Sequence, residues 1–270
     1  MRGLLLKVIW ETRLPTLLFG LALGIVMLLL TRIIPQMQRE IEQLLSHLPL
    51  AKSMMAALMG IDVKEELNAQ VLQAFVWVHP AVLSLIWGHE IVFCTRLPAA
   101  EIDSGTVDVL LGLPVSRRSL YLAESAGWLV SGLVILAMGA AGYSISARQI
   151  APDMRPNREN VLMVLLNLYC VYVAVGGWAF FVSSCGSRRA PAIAVVFALL
   201  LASFLLTFLA RFWWPASQLE FLSVLHYYQP AQVLRTGSLP PGDVAALLAA
   251  GAAGWIAGGE IFTRRDICTV

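Results

Sequence analysis

Apolar residues fill six long stretches of this chain, separated by segments rich in polar residues, glycine and proline. The stretches, at about 14–34, 71–93, 120–145, 160–184, 191–213 and 243–262, each reach the roughly 20 residues that a helix needs to cross a bilayer core. Backbone amides and carbonyls find no water in lipid, so such a segment must close its hydrogen bonds internally, as a helix. The short alternating period of a transmembrane barrel is absent. The pattern predicts an all-α integral membrane protein with six transmembrane helices in a single domain over residues 1–270. No small-residue cleavage site follows residues 14–34, which are therefore expected to be the first membrane anchor rather than a signal peptide.

The connecting segments carry patterns of their own. In "REIEQLLSHLPLAKSMMAALMGIDVKEEL", Ile41, Leu44, Leu45 and Leu48 recur at helical spacing opposite charged residues. This predicts an amphipathic helix or helix pair on the membrane surface. In "FLSVLHYYQPAQVLRTGSLPPGD", His226, Tyr227 and Tyr228 suit a belt at headgroup level, and Pro240 and Pro241 punctuate the entry to the last span. Gly20 and Gly24 in the first span, and Gly254 and Gly258 in the sixth, have the spacing that lets helices approach closely. They serve either packing within the chain or a subunit interface.

Composition agrees with the pattern. Hydrophobic residues make up 59% of the 270 residues and charged residues 13%, against about 45–50% and about 25% in soluble domains. A net charge of +2 is too small to point to nucleic acid. Cys94, Cys170, Cys185 and Cys268 include no CxxC pair, which argues against a zinc or redox motif and for small apolar side chains in a reduced or lipid setting. Six spans put both termini on one side. With cytoplasmic termini, the inside segments hold Arg2, Lys7, Arg13, Arg96, Arg117, Arg118, Arg188, Arg189, Arg264 and Arg265. The longer outside loops hold Arg39, Lys52, Lys64, Arg148, Arg155, Arg158 and Arg235. Positive density is higher on the shorter, inner segments, so both termini are expected in the cytoplasm.

Chemistry-bearing motifs are sparse. A phosphate-binding loop requires Gly-Lys-Ser/Thr, and none of the three lysines, Lys7, Lys52 and Lys64, follows a glycine. No nucleotide site of that kind, no metal site and no catalytic constellation is expected in this chain. His89 and Glu90 begin a HExxH pattern, but Phe93 stands where the second histidine belongs, so zinc would lack a ligand. Ionisable groups inside a span are nevertheless functional candidates. His79, His89 and Glu90 are therefore possible intramembrane polar sites, with a hydrogen-bonded histidine beside the Pro80 kink as the plainer reading of His79.

The segment "EIDSGTVDVLLGLPVSRR", residues 101–118, is unusually polar for its place between two spans. Thr106 suits a helix N-cap and Asp108 the first turn, where a carboxylate complements the helix dipole. Val107, Leu110 and Leu111 then share one face. Pro114 is expected to stop the helix and push Leu113 out of helical geometry. Arg117 and Arg118 follow, two positive charges at the start of the third span. The pattern predicts a short amphipathic cytoplasmic helix with an apolar ridge.

"AAEIDSGTVDVLLGLPVSRRSLYLAE" resembles a segment of the permeases of type 2 ABC exporters, approximately E-x-x-x-GT-hydrophobic-x-x-LL-x-x-PVSR. Glu101, Gly105, Thr106, Leu110, Leu111, Pro114, Val115, Ser116 and Arg117 match at that spacing. "LMGIDVKEELNAQVLQAF" before the second span and "FTRRDI" near the end are similar to the family's layout. Glu124 departs from it, since relatives often carry a lysine there. The resemblance implies an inner-membrane permease subunit paired with a second copy or a homologue. It also implies two separate cytoplasmic ATPases, which use ATP and Mg and dock on the short helix between spans two and three; the chain itself binds no cofactor. Residues Glu101, Gly105, Thr106, Val107, Leu110, Leu111, Pro114, Arg117 and Arg118 are the implied coupling residues. The alternatives are a membrane component that transports nothing and transmits ATPase motion to an envelope or metalloenzyme assembly partner, and an intramembrane enzyme around His79, His89 and Glu90. With few charges in the spans, an amphipathic, lipid-like or hydrophobic cargo fits the exporter better than a hydrophilic one.

Overall fold

A computed structural model describes residues 2–36, 47–48, 69–112, 114–150, 155 and 157–266. Among the described residues there is no strand. Among those residues, six helices are long and apolar enough to cross a membrane, as the sequence predicts. The amphipathic helix expected over residues 35–70 falls almost wholly outside the described residues, as does Cys268.

The first helix, α1 (Arg2–Gln36), begins twelve residues before the apolar stretch. Lys7, Glu11 and Arg13 lie on this extension, where Lys7 and Glu11 pair at 3.2 Å one turn apart. Polar side chains at a helix end can pair or reach water, so the hydrogen-bonded backbone continues past the apolar boundary. The second span is broken into α2 (Ala69–Val78) and α3 (Pro80–Cys94). Pro80 lacks an amide hydrogen and is tolerated at the first position of a new helix. His79 caps α3 by accepting the Ala81 amide on Nδ1 at 3.2 Å.

A π-helical turn (Arg96–Ala100) leads into two short helices, α4 (Glu101–Asp103) and α5 (Val107–Leu111). Then follow α6 (Arg117–Ala147), α7 (Arg158–Cys185) and α8 (Arg189–Leu209). The fifth apolar stretch is expected to run to residue 213, but α8 stops at Leu209 and the chain turns. Pro215 cannot donate a backbone hydrogen bond, and a new helix, α9 (Trp214–Leu219), restarts with the proline in its first turn. Two 3-10 turns and α10 (Pro230–Thr236) precede the last span, α11 (Pro241–Arg264).

Glycines set the two tightest packings, α1 on α6 and α11 on α7. A Cβ on Gly142 would stand 2.0 Å from the Gly24 carbonyl oxygen, and one on Gly177 would stand 2.1 Å from the Gly251 oxygen. Gly254 and Gly258 lie against the same helix, near Gly177 and Phe181. Both glycine-spaced motifs therefore serve packing within the chain. Close backbone approach of this kind replaces the hydrophobic driving force that lipid does not supply.

Helix α7 is the centre of the bundle, with 56% of its apolar stretch buried against 22% for α8 and α11. Around it, Trp128 stacks on Tyr172 with ring centroids 5.5 Å apart, and the Tyr172 hydroxyl donates to the Trp128 carbonyl at 3.1 Å. Outward faces are apolar as well: Leu14, Leu18, Leu21 and Ile25 on α1, and Val195, Phe197 and Leu199 on α8, are exposed. In water such surface would be costly; in a bilayer it is the lipid-facing belt. The buried cysteines Cys94 and Cys170 are unbridged.

Candidate functional site: the polar face around Arg96

One end of the bundle gathers the start of α1, the end of α3, the turn and short helices of residues 96–111, the start of α6 and the junctions at residues 185–189 and 262–266. Arg96 is the hub. Its guanidinium binds the carboxylate of Glu124 on α6 and that of Glu11 on α1. The Arg96 and Glu124 side chains are 17% and 5% exposed, so this pair is shielded from water. Burial alone would pull the Arg96 guanidinium down, but the Glu124 and Glu11 carboxylates override it and hold it above its ordinary value. Glu124 completes a charge pair with it.

The rest of the segment is tied down at several points. Ser183 on α7 accepts the Ala99 amide at 3.3 Å and donates to the Leu97 carbonyl at 3.2 Å. Arg189 on α8 donates to the Val92 carbonyl at 3.0 Å, and its amide donates to Asp103 Oδ2 at 3.2 Å. Arg117 binds the carbonyls of Phe262, in the last turn of the last span, and of Arg265 just beyond it. Arg265 in turn donates to the Ser184 and Gly186 carbonyls at 3.1 and 2.8 Å. Residues 96–117 are thus bonded to α1, α6, α7, α8 and the end of α11.

The structure revises the sequence reading of this segment at four points. Thr106 does not cap α5: its backbone is already helical, and its hydroxyl donates to the Glu101 carboxylate. The hydroxyl is turned toward Glu101, and no backbone amide of α5 donates to it. The helix ends at Leu111, with Gly112 as its cap, ahead of Pro114. The expected ridge faces inward, since Val107 and Leu110 are only 1% and 7% exposed, while Val109 is 71% exposed beside exposed Asp108. The side chain of Leu111, and Leu113 altogether, lie outside the described residues. Arg117 is occupied by the chain's own carbonyls, which leaves Arg118, exposed and 3.8 Å from Glu260, as the outward-facing charge. Gly105 has a plain role: its φ of 72° lies in the left-handed region that glycine adopts without cost.

The intramembrane candidates lie elsewhere. His79 is the α3 cap already described. His89 is buried with Nδ1 3.3 Å from the Tyr172 hydroxyl and its ring beside Phe19 and Phe93. Glu90 is fully buried near the Gly176 backbone. Among the described residues no group of three His, Cys, Asp or Glu side chains could hold a metal ion.

Sequence reasoning missed the hub. Glu11, Arg96 and Glu124 sit at the same ends of three spans, and charged residues at matched depth were the available signal. Their pairing, across 85 and 28 residues of chain, is not visible without the packing.

A family model described as "ABC-2 family transporter protein" matches residues 90–252, more than half of the chain and all of the segment just described. The chain belongs to that family. No curated protein and no solved structure gives a match. As an ABC-2 family transporter protein it is a multi-pass membrane protein and a permease component of an ABC transporter. In this family the permease works in the membrane with ATPase subunits, and ATP hydrolysis belongs to those separate subunits.

Proposed function

We propose that this ABC-2 permease is an exporter driven by two cytoplasmic ATPases, which dock on residues 101–118. Residues 1–270 act as one transmembrane permease domain in the cell membrane, paired with a second copy or a homologue. The Arg96 face and both termini lie in the cytoplasm; ATP and Mg are bound by the ATPases. The observation that carries the reading is Val109, 71% exposed at the tip of a polar segment whose two ends are hydrogen-bonded into five spans. An outward apolar residue on a short helix fits a groove of a partner. The bonds at its base would pass a push from that partner into α1, α6, α7, α8 and α11 together. Inward-facing Val107 and Leu110 hold the short helix on its base.

The test is affinity purification of the tagged full-length chain from its own membranes in mild detergent. A stoichiometric cytoplasmic protein with a phosphate-binding loop is expected with the wild type. It should be lost with Val109→Asp, while insertion and thermal stability stay unchanged. Recovery of no ATPase with the wild type would sink the transporter reading. Undiminished recovery with Val109→Asp would remove the docking assignment alone.

A further inference from the structure

At the opposite end of the bundle, a cavity of about 350 Å³ opens between the last turns of α6 and the first turns of α7. Ala140, Ala147, Val161, Leu162 and Leu165 form its apolar wall, and Arg148, Arg155 and Arg158 line its mouth. Its size falls in the range of about 300–1,000 Å³ common for ligand sites. We propose that this cavity binds the phosphate headgroup of an anionic phospholipid, with the adjoining part of the lipid along the Leu162 wall.

Two observations converge on an anionic amphiphile. Arg155 is braced, donating to the Ile150 and Arg148 carbonyls at 2.6 Å each. Among the described residues, Arg148 and Arg158 have no carboxylate partner. Guanidinium groups in that state match the oxygens of a phosphate, singly or as a fork. Arg158 also opens α7, whose positive end adds to the same field. Leu162, on the rim, is 62% exposed, so the cavity opens sideways to the lipid-facing surface rather than only to water. A phosphate on an apolar tail meets both features, whereas a free anion uses only the arginines. The site lies away from the Arg96 face, and its occupancy does not depend on which ATPase the chain meets.

Native mass spectrometry of the full-length chain in mild detergent tests this by titration with dioleoyl phosphatidylglycerol, dioleoyl phosphatidylcholine or inorganic phosphate. The wild type is expected to hold one phosphatidylglycerol in preference to phosphatidylcholine. Arg148→Gln/Arg158→Gln should weaken that binding by on the order of tenfold, as loss of two interfacial charges implies. Ala140→Leu, which fills the cavity and keeps the charges, should weaken it as well. Arg211→Gln, outside the cavity, should not. Size-exclusion profiles identical to the wild type establish that each variant is folded. Equal retention of the two lipids by the wild type, or full binding by Ala140→Leu, would overturn the site. Displacement of the lipid by millimolar inorganic phosphate would overturn the lipid as its source and leave a soluble phosphate compound in its place.

Discussion

The guanidinium of Arg96 grips the carboxylate of Glu124, joining the exit of the second span to the entry of the third, and Glu11 of the first span closes on the same arginine. Three helix ends therefore share one charge cluster, in which Arg96 and Glu124 are screened from water and Glu11 is exposed. The segment that follows Arg96 is the one we assign to the ATPase, so any motion of that segment must carry or break this cluster.

Arg96→Met should destabilise the chain by about 3–5 kcal/mol, because it strands the Glu124 carboxylate without a partner. The double variant Arg96→Met/Glu124→Leu should recover much of the loss, since no buried charge is left unpaired. Thermal unfolding followed by size-exclusion fluorescence in detergent reads both. A double variant no better than the single one would show that the pair is not the source of the effect.

Gly142→Ala should cost about 1–3 kcal/mol by forcing α1 off α6, because its Cβ would stand 2.0 Å from the Gly24 oxygen. Gly242→Ala is the control, since a Cβ there meets nothing within 4 Å. The same unfolding measurement should separate the two by several degrees. Similar midpoints would mean that α1 and α6 are less tightly seated than described.

Gly105 separates backbone from contact. Space around its Cβ is open, so Gly105→Ala should act only through the left-handed backbone, at a cost of about 1–2 kcal/mol. Gly105→Asn should be milder, because asparagine visits that region more readily. ATPase recovery should rank wild type, then Asn, then Ala. Equal loss for Asn and Ala would point to a contact that the side chain blocks.

His79→Asn should keep the α3 cap, and His79→Ala should lose about 0.5–2 kcal/mol, the range for a missing helix cap. Transport in reconstituted vesicles, normalised to folded protein, should be equal in both. Failure of the Asn variant to transport despite wild-type stability would restore His79 as a functional group.

The number and placement of the spans, the Pro80 break and the acidic start of α5 were legible in the sequence. Each depends on local properties: the transfer of about 20 consecutive side chains into lipid, the missing proline amide, the helix dipole. The family was legible too, through the spacing of Glu101, Gly105, Thr106, Leu110, Leu111 and Pro114. Gly105 also has a local reason to be glycine, although its φ had to be seen to know it.

Which face of α5 points outward was decided only by the tertiary structure. An amphipathic pattern marks Val107 and Leu110 as apolar, but it does not say whether the apolar side seats on the protein's own body or waits for a partner. The partners of Arg96 and Arg117 were equally out of reach, because those bonds join groups brought together by helices packing on glycine. The cavity between α6 and α7 likewise exists only once two helices lie side by side. The sequence alone determined that six segments are long and apolar enough to cross a membrane, since transfer into lipid is settled segment by segment. Helix packing determined which polar groups meet, since that depends on how segments distant in the chain come together.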